Sequence, residues 1–280
     1  MNHQAVVGRT ERRTDTVWPS SVRAMAATLG MPEPGSGELP PLWHWMLFQD
    51  WAPTRELGVD GHPPRGGFLP AEPDLPRRMW VGGRLHFHRP LRIGEPVTRE
   101  STIIRAEPTM GSSGPLLFVT VRHVIANGND VALTEEQDLV YRPAYVADSG
   151  AGPAPEALAP PRIGGAGLEI EVDAPLLFRY SAVTGNAHRI HYDQHYASRV
   201  EGYASLVVHG PLQATLLAGF ALAQRAGDTL AEFSFRGRRP ALLHRCPLTV
   251  EGEREGGAMR LRVLDLDRLV CTTAEATFNP

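Results

Sequence analysis

The stretch from residue 211 to 225, PLQATLLAGFALAQR, most narrows the folds open to this chain. Pro211 suits a first helical position and Gly227 suits the exit. The apolar residues run almost all the way round, so such a helix has no solvent face and must be wrapped by other elements. Strand-like runs follow at 232–236, 246–253, 259–264 and 270–278. Long strands with one dominant buried helix per half imply an α+β layer fold, an antiparallel sheet wrapped around a helix.

The rest of the chain repeats the theme. Strand-like segments at 79–88, 95–105, 116–126 and 131–141 follow short helices expected at 21–29 and 42–49 and a turn-rich loop at 60–69, DGHPPRGGFL. A run rich in Ala, Pro and Gly at 144–167 reads as a linker, separating a first unit (1–143) from a second (168–280). Residues 168–178 read as a strand leading into the second unit. His88-Arg89-Pro90-Leu91 before Gly94-Glu95-Pro96 is echoed by Arg238-Arg239-Pro240-Ala241 before Cys246-Pro247, at close to half the chain's length. With the linker, the echo predicts two structural repeats.

Composition limits the partners. The 280 residues are 42% hydrophobic and 21% charged with a net charge of -3, which gives no basic surface for nucleic acid. All 28 basic residues are Arg; this follows from codon usage in a high-GC genome or from a preference for planar recognition of phosphate and carboxylate. Cys246 and Cys271 form no CxxC and imply no disulfide framework. The polar N-terminus lacks a signal peptide's apolar core, and no apolar run approaches about 20 residues, so a cytoplasmic protein with no membrane span is expected.

Polar chemistry concentrates in 180–196, YSAVTGNAHRIHYDQHY, and in Val207-Val208-His209-Gly210-Pro211. Thr184-Gly185-Asn186 is turn-like. A helix over 189–197 would put His191 and His195 on one face, with Asp193 between them. His209 and Gly210 stand where the buried helix begins, with its free amides and positive dipole end; Gly210 allows a carbonyl to approach the backbone. A titratable imidazole beside an oxyanion site is what chemistry next to a thioester carbonyl needs. The spacing of His188, His191 and His195 also invites a zinc reading, but there is no HExxH glutamate and no Cys ligand. His86 and His88 share one strand face and are expected at the sheet surface.

The segment resembles the signature of the MaoC-like, R-specific enoyl-CoA hydratases, Ser/Thr-Gly-Asp-x-Asn-Pro-x-His with a downstream His-Gly. Thr184 and Gly185 match, and His191 falls on the catalytic histidine. Asn186 replaces the family's Asp, and His188-Arg189 replace Asn-Pro. HRIHYD, VVHGPLQATLL, GGFLP and RRMWVGGRLHFHRPLRIGE further resemble the 3-methylfumaryl-CoA (mesaconyl-CoA) hydratase branch, with the type 2 3-hydroxyacyl-thioester dehydratases as relatives. The resemblance implies a double hot-dog, two antiparallel sheets each around a central helix. The first repeat would be non-catalytic and shape the substrate tunnel; the second would carry the catalytic residues.

It implies His191 as general base and acid, Asn186 holding water or orienting the imidazole, and the Gly210 amide on the thioester oxygen. Asp193, His188, Tyr180 and Thr184 would support them; His209, Arg189, Arg65 and Arg78 would contact substrate. Arg77 is a further candidate for phosphate or carboxylate. No metal or redox cofactor is needed, CoA being the substrate's carrier. The expected reaction is addition or removal of water at the α,β double bond of a mesaconyl-CoA/citramalyl-CoA type thioester. Rivals are a 3-hydroxyacyl-CoA or 3-hydroxyacyl-carrier-protein dehydratase of lipid or polyketide metabolism, a thioesterase, and an acyl-CoA-binding subunit without turnover. A pseudo-dimeric monomer and a homodimer are both compatible with the sequence.

Overall fold

The computed structural model describes residues 3–111, 114–146 and 167–280. Most of the expected 144–167 linker lies outside them. The first half runs β1 (Thr10–Thr16), α1 (Pro19–Leu29), β2 (Arg77–Phe87), β3 (Pro96–Gly111), β4 (Gly114–Asn127) and β5 (Asp130–Arg142). The second runs β6 (Gly167–Ile170), α2 (Ala174–Val183), α3 (Gln194–Arg199), α4 (Gly210–Ala223), β7 (Thr229–Gly237), β8 (Leu248–Glu255), β9 (Ala258–Leu264) and β10 (Val270–Asn279).

The strands form one antiparallel ladder in the order β1-β3-β4-β5-β2-β7-β10-β9-β8-β6. Read outward from its middle, each half has the same order, and the halves meet where β2 pairs with β7, Gly82 opposite Arg236. The α+β class is as expected, with the two sheets joined edge to edge. The Arg-Pro echo marks equivalent places: the amides of His88 and Arg89 both donate to the Ala132 carbonyl, and those of Arg238 and Arg239 both donate to that of Cys271.

α4 is the helix predicted at 211–225. Leu212, Leu217, Phe220 and several alanines are buried, and it packs on β7, β8, β9 and β10. Its one buried amide side chain, Gln213, is satisfied by the Val208 carbonyl and the Thr272 hydroxyl. The helix expected at 42–49 shrinks to a 3-10 turn, Trp43–Met46, bounded by left-handed Leu42 (φ 69°) and Phe48 (φ 58°). The strand expected at 168–178 stops at Ile170, because Asp173 caps α2 by accepting from the Leu176 amide at 2.8 Å. β1, a polar alternating strand, was not expected from sequence. No helix among the described residues is long and apolar enough to cross a membrane.

Candidate active site

The end of α2 sets the site's first corner. The Thr184 hydroxyl donates back to the Tyr180 carbonyl at 2.6 Å, and Gly185 turns the chain at φ +60°. Gln49 of the first half holds this turn by donating to the Val183 carbonyl at 2.6 Å. Asn186 then closes a tight turn: its side-chain oxygen accepts from the His188 amide at 3.1 Å. Its side-chain oxygen thus orients the backbone of His188.

The helix expected over 189–197 does not form. A 3-10 turn, Arg189–His191, ends at Tyr192, and Asp193 starts α3 anew by accepting from the Tyr196 amide at 2.9 Å. The break buries His191 and leaves His195 exposed, so the two do not share a face. Asp193 serves as this cap and as the partner of Arg189 at 2.6 Å.

Four histidines line up from two distant parts of the chain. The ring of His191 stacks on that of His209, with centroids 3.6 Å apart and planes 20° apart. His188 stands edge-on to His191 at 5.7 Å, and His62 lies 4.6 Å from His188. The Val207 carbonyl lies 2.7 Å from His191 Nδ1. A carbonyl only accepts, so Nδ1 carries the proton and Nε2 presents its lone pair. His209, expected to contact substrate, stands at the start of α4. Its ring is fully buried, 2.9 Å from the Ser181 hydroxyl and packed beside Tyr180.

His62 arrives on a first-half loop stitched to this segment. The Arg189 amide donates to the Asp60 carbonyl at 2.9 Å, and the Arg189 side chain donates to the Val59 carbonyl at 3.0 Å. Gly61, at φ +89°, comes so close that a Cβ there would lie 2.0 Å from the Ala187 carbonyl oxygen; only glycine permits the contact. The loop at 60–69 is thus part of the site wall.

Burial sets the protonation states. Desolvation pulls His191 down to about 3 and His62 to about 4, and holds His209 well below the usual imidazole range. All three are neutral at pH 7. Two carboxylates face the row: Asp60, whose Oδ2 is 3.3 Å from His62 Nδ1, and Glu201, whose Oε1 is 3.7 Å from His188 Nε2 and whose Oε2 accepts from Arg77 at 2.5 Å. Despite its burial, His188 and Arg77 hold Glu201 below the usual carboxylate range. α4 begins beside the stack at Gly210, close to the Trp80 carbonyl of β2, so its free amides and positive dipole end open here.

Arginines expected at the substrate fall into two groups. Arg65 pairs with Asp60 at 2.6 Å, Arg189 with Asp193, and Arg77 with Glu201, so each already holds a carboxylate. Arg78 forms no ion pair among the described residues. His86 and His88 lie at the surface, against Glu232 and Thr134 respectively.

Five buried side-chain polar atoms make no well-aligned hydrogen bond among the described residues: Nδ1 of His62, which has Asp60 Oδ2 at 3.3 Å, Nδ1 of His209, the hydroxyls of Tyr180 and Tyr141, and Nε of Arg99. The first three belong to the histidine row and its packing, and Tyr141 pairs with Arg78 across the sheet. Unmet polar groups cost free energy, so their concentration marks a place built to meet something else. His62, Glu201 and Ser181 escaped the sequence analysis. The Asp60-Gly61-His62-Pro63 turn could be seen there, but nothing local shows that it docks more than a hundred residues downstream.

Residues 42–243 match the family model for hydroxyacyl-thioester dehydratase type 2. The chain is 47% identical over 244 residues to mesaconyl-C(4)-CoA hydratase of Chloroflexus aurantiacus, an alignment covering 84% of each protein. Among solved structures it is similar to a MaoC-like dehydratase from Phytophthora capsici (TM-score 0.72, 16% identity, 100% of this chain and 98% of that one). It is also similar to a Mycobacterium tuberculosis protein with a double hot-dog fold (TM-score 0.54, 14% identity, 98% and 96% covered).

Proposed function

The chain belongs to the hydroxyacyl-thioester dehydratase type 2 family, and from that premise we propose that it hydrates a mesaconyl-C4-CoA type thioester, with His191 as the proton carrier. Its reaction class is hydro-lyase chemistry on an acyl thioester. The observation that carries the role of His191 is its geometry: a neutral imidazole locked by Val207 with Nε2 free, beside the first turn of α4.

In this reading the thioester oxygen accepts from the Gly210 amide at the positive end of α4. Water attacks the β-carbon and gives a proton to His191 Nε2. The double-bond electrons move through the α-carbon to the thioester oxygen, forming an enolate. His191 then returns the proton to the α-carbon, and the C=O re-forms. Removal of water is the same path in reverse. The low basicity of His191 suits the second half of the cycle, because a buried imidazolium of pKa about 3 gives its proton back readily. The enolate's charge stabilises the imidazolium while both exist.

Asn186 shapes the turn, and Glu201 beside His188 and Asp60 beside His62 are the negative groups that face the row. The second half supplies base and oxyanion site; the first supplies the wall at 58–65. Tyr180 and Thr184 hold the frame under His209. CoA is the carrier of the acyl group.

The test is incubation of the protein with mesaconyl-C4-CoA in D2O, following loss of the enoyl-thioester absorbance and the product by NMR. The reading expects citramalyl-CoA with solvent deuterium at the α-carbon. Free thiol without hydration would instead show thioester hydrolysis, and no change in the thioester would remove the hydratase reading.

A further inference from the structure

The hydratase reading leaves one chemical demand unmet. Mesaconyl-C4-CoA carries a free carboxylate on the carbon that water attacks, so the site must hold an anion next to the histidine row without neutralising the base. Three of the four arginines considered there cannot take it, because Arg65, Arg77 and Arg189 each hold a protein carboxylate.

Arg78 differs. It is half-buried, stands second in β2, and pairs in register with Tyr141 of β5, so both side chains leave the sheet on one face. Tyr141 is fully buried in one cluster with Leu75, Phe68 and Leu69 of the first-half loop segment, and its hydroxyl, beside the Arg78 guanidinium, meets no acceptor among the described residues. Arg78 stands on the stretch of β2 that meets the site, between Arg77, which holds Glu201 of the row at 2.5 Å, and Trp80, whose carbonyl lies close to Gly210; its charge also acts on His62. A half-buried guanidinium without a carboxylate, beside a buried hydroxyl whose proton has no acceptor among the described residues, has the donor set for one carboxylate.

We propose that Arg78 and the Tyr141 hydroxyl form the subsite for the substrate's free carboxylate, and so make this a hydratase for dicarboxylic half-thioesters. The proposal rests on the hydratase reading for its substrate but is read out by binding alone. Succinyl-CoA and butyryl-CoA are unreactive analogues that differ only in having a carboxylate or a methyl group at that end.

Calorimetric titration of the wild-type protein is expected to show succinyl-CoA bound about 30-fold or more tighter than butyryl-CoA, in line with truncation costs at buried charge pairs. Arg78→Met should collapse that preference to about threefold or less, Arg78→Lys should restore part of it, and Tyr141→Phe should reduce it by about three- to tenfold. Equal weakening of both ligands by Arg78→Met would assign Arg78 to the CoA moiety or to the fold and overturn the proposal. So would an unchanged preference, or none in the wild type. Failure of the hydratase reading would appear separately, as normal succinyl-CoA selectivity without turnover of mesaconyl-C4-CoA.

Discussion

The two halves use one backbone frame for opposite ends. In the first, the Leu39 amide donates to the Leu91 carbonyl and the Ile93 amide to that of Gly37. In the second, Val208 donates to Ala241 and Leu243 to Leu206, the same pattern. The next two residues differ: Pro40-Pro41 in one, His209-Gly210 in the other. The first leads into a four-residue 3-10 turn, the second into the 14-residue α4. Each half also buries a histidine nearby. His44 lies 3.1 Å from Glu135, whose other oxygen accepts from Trp45 at 2.8 Å and Gln137 at 3.0 Å. His191 instead keeps Nε2 open, and His209 Nδ1 has no partner among the described residues. His44 is thus held by a carboxylate, while His191 and His209 keep ring nitrogens that the proposed reaction would use for substrate and water.

Swapping equivalent losses between the halves tests this contrast. His44→Ala should destabilise the fold by about 3 kcal/mol or more, since it leaves the buried Glu135 short of a partner. The folded fraction should keep its kcat. His209→Ala should do the reverse, lowering kcat/KM about 10- to 100-fold with a smaller change in Tm, as a loss of positioning does. Chemical denaturation and steady-state kinetics on both variants check the pair. Equal kinetic damage from the two would erase the distinction.

The glycines give a sharper version. Gly61→Ala puts a Cβ against the Ala187 carbonyl and should lift the His62 loop, cutting kcat/KM about 10- to 100-fold. Gly30→Ala, at φ +65° but with open space around it, should cost only about 1–2 kcal/mol of stability and no activity.

Titration separates the halves less strongly. His62 and His191 near the site, and His123 in the first half, have folded-state values of about 4, about 3 and about 4, below the ordinary 6.5. The unfolded chain binds protons first, so their contribution is whole above pH 6.5 and is lost as pH falls through 6.5 toward 4. Denaturant midpoints should drop across that window. In His123→Gln the drop should be shallower with activity at pH 7 unchanged. A midpoint that rises on acidification would contradict the assignment of these rings as buried and neutral.

The smallest effect is expected at Asn186. Asn186→Asp keeps an acceptor for the His188 amide, so kcat/KM should stay within about tenfold of the wild type. A large gain would mean that the site lacks a carboxylate that Glu201 does not supply.

The sequence made some of this legible for identifiable reasons. α4 could be read because a helix apolar on every side has one possible environment, and the start of α4 at His209-Gly210-Pro211 because its signal is local. The first-half helix failed because left-handed Leu42 and Phe48 cut it short, which residue type does not reveal. Residues 171–178 misled because apolar Leu176, Leu177 and Phe178 outweighed the Asp173-Ala174-Pro175 helix start. His62 and Glu201 were missed because their importance lies in contacts across the chain: Arg77 meets Glu201 at a separation of 124 residues, and Arg189 meets Val59 at 130.

The central claim is that the second half's open imidazole moves the proton. The direct measurement is hydration of mesaconyl-C4-CoA by wild type and His191→Ala at equal folded concentration. The account predicts a loss in kcat/KM of about 10²–10⁴ with saturable substrate binding retained. Turnover within a few-fold of the wild type would contradict it.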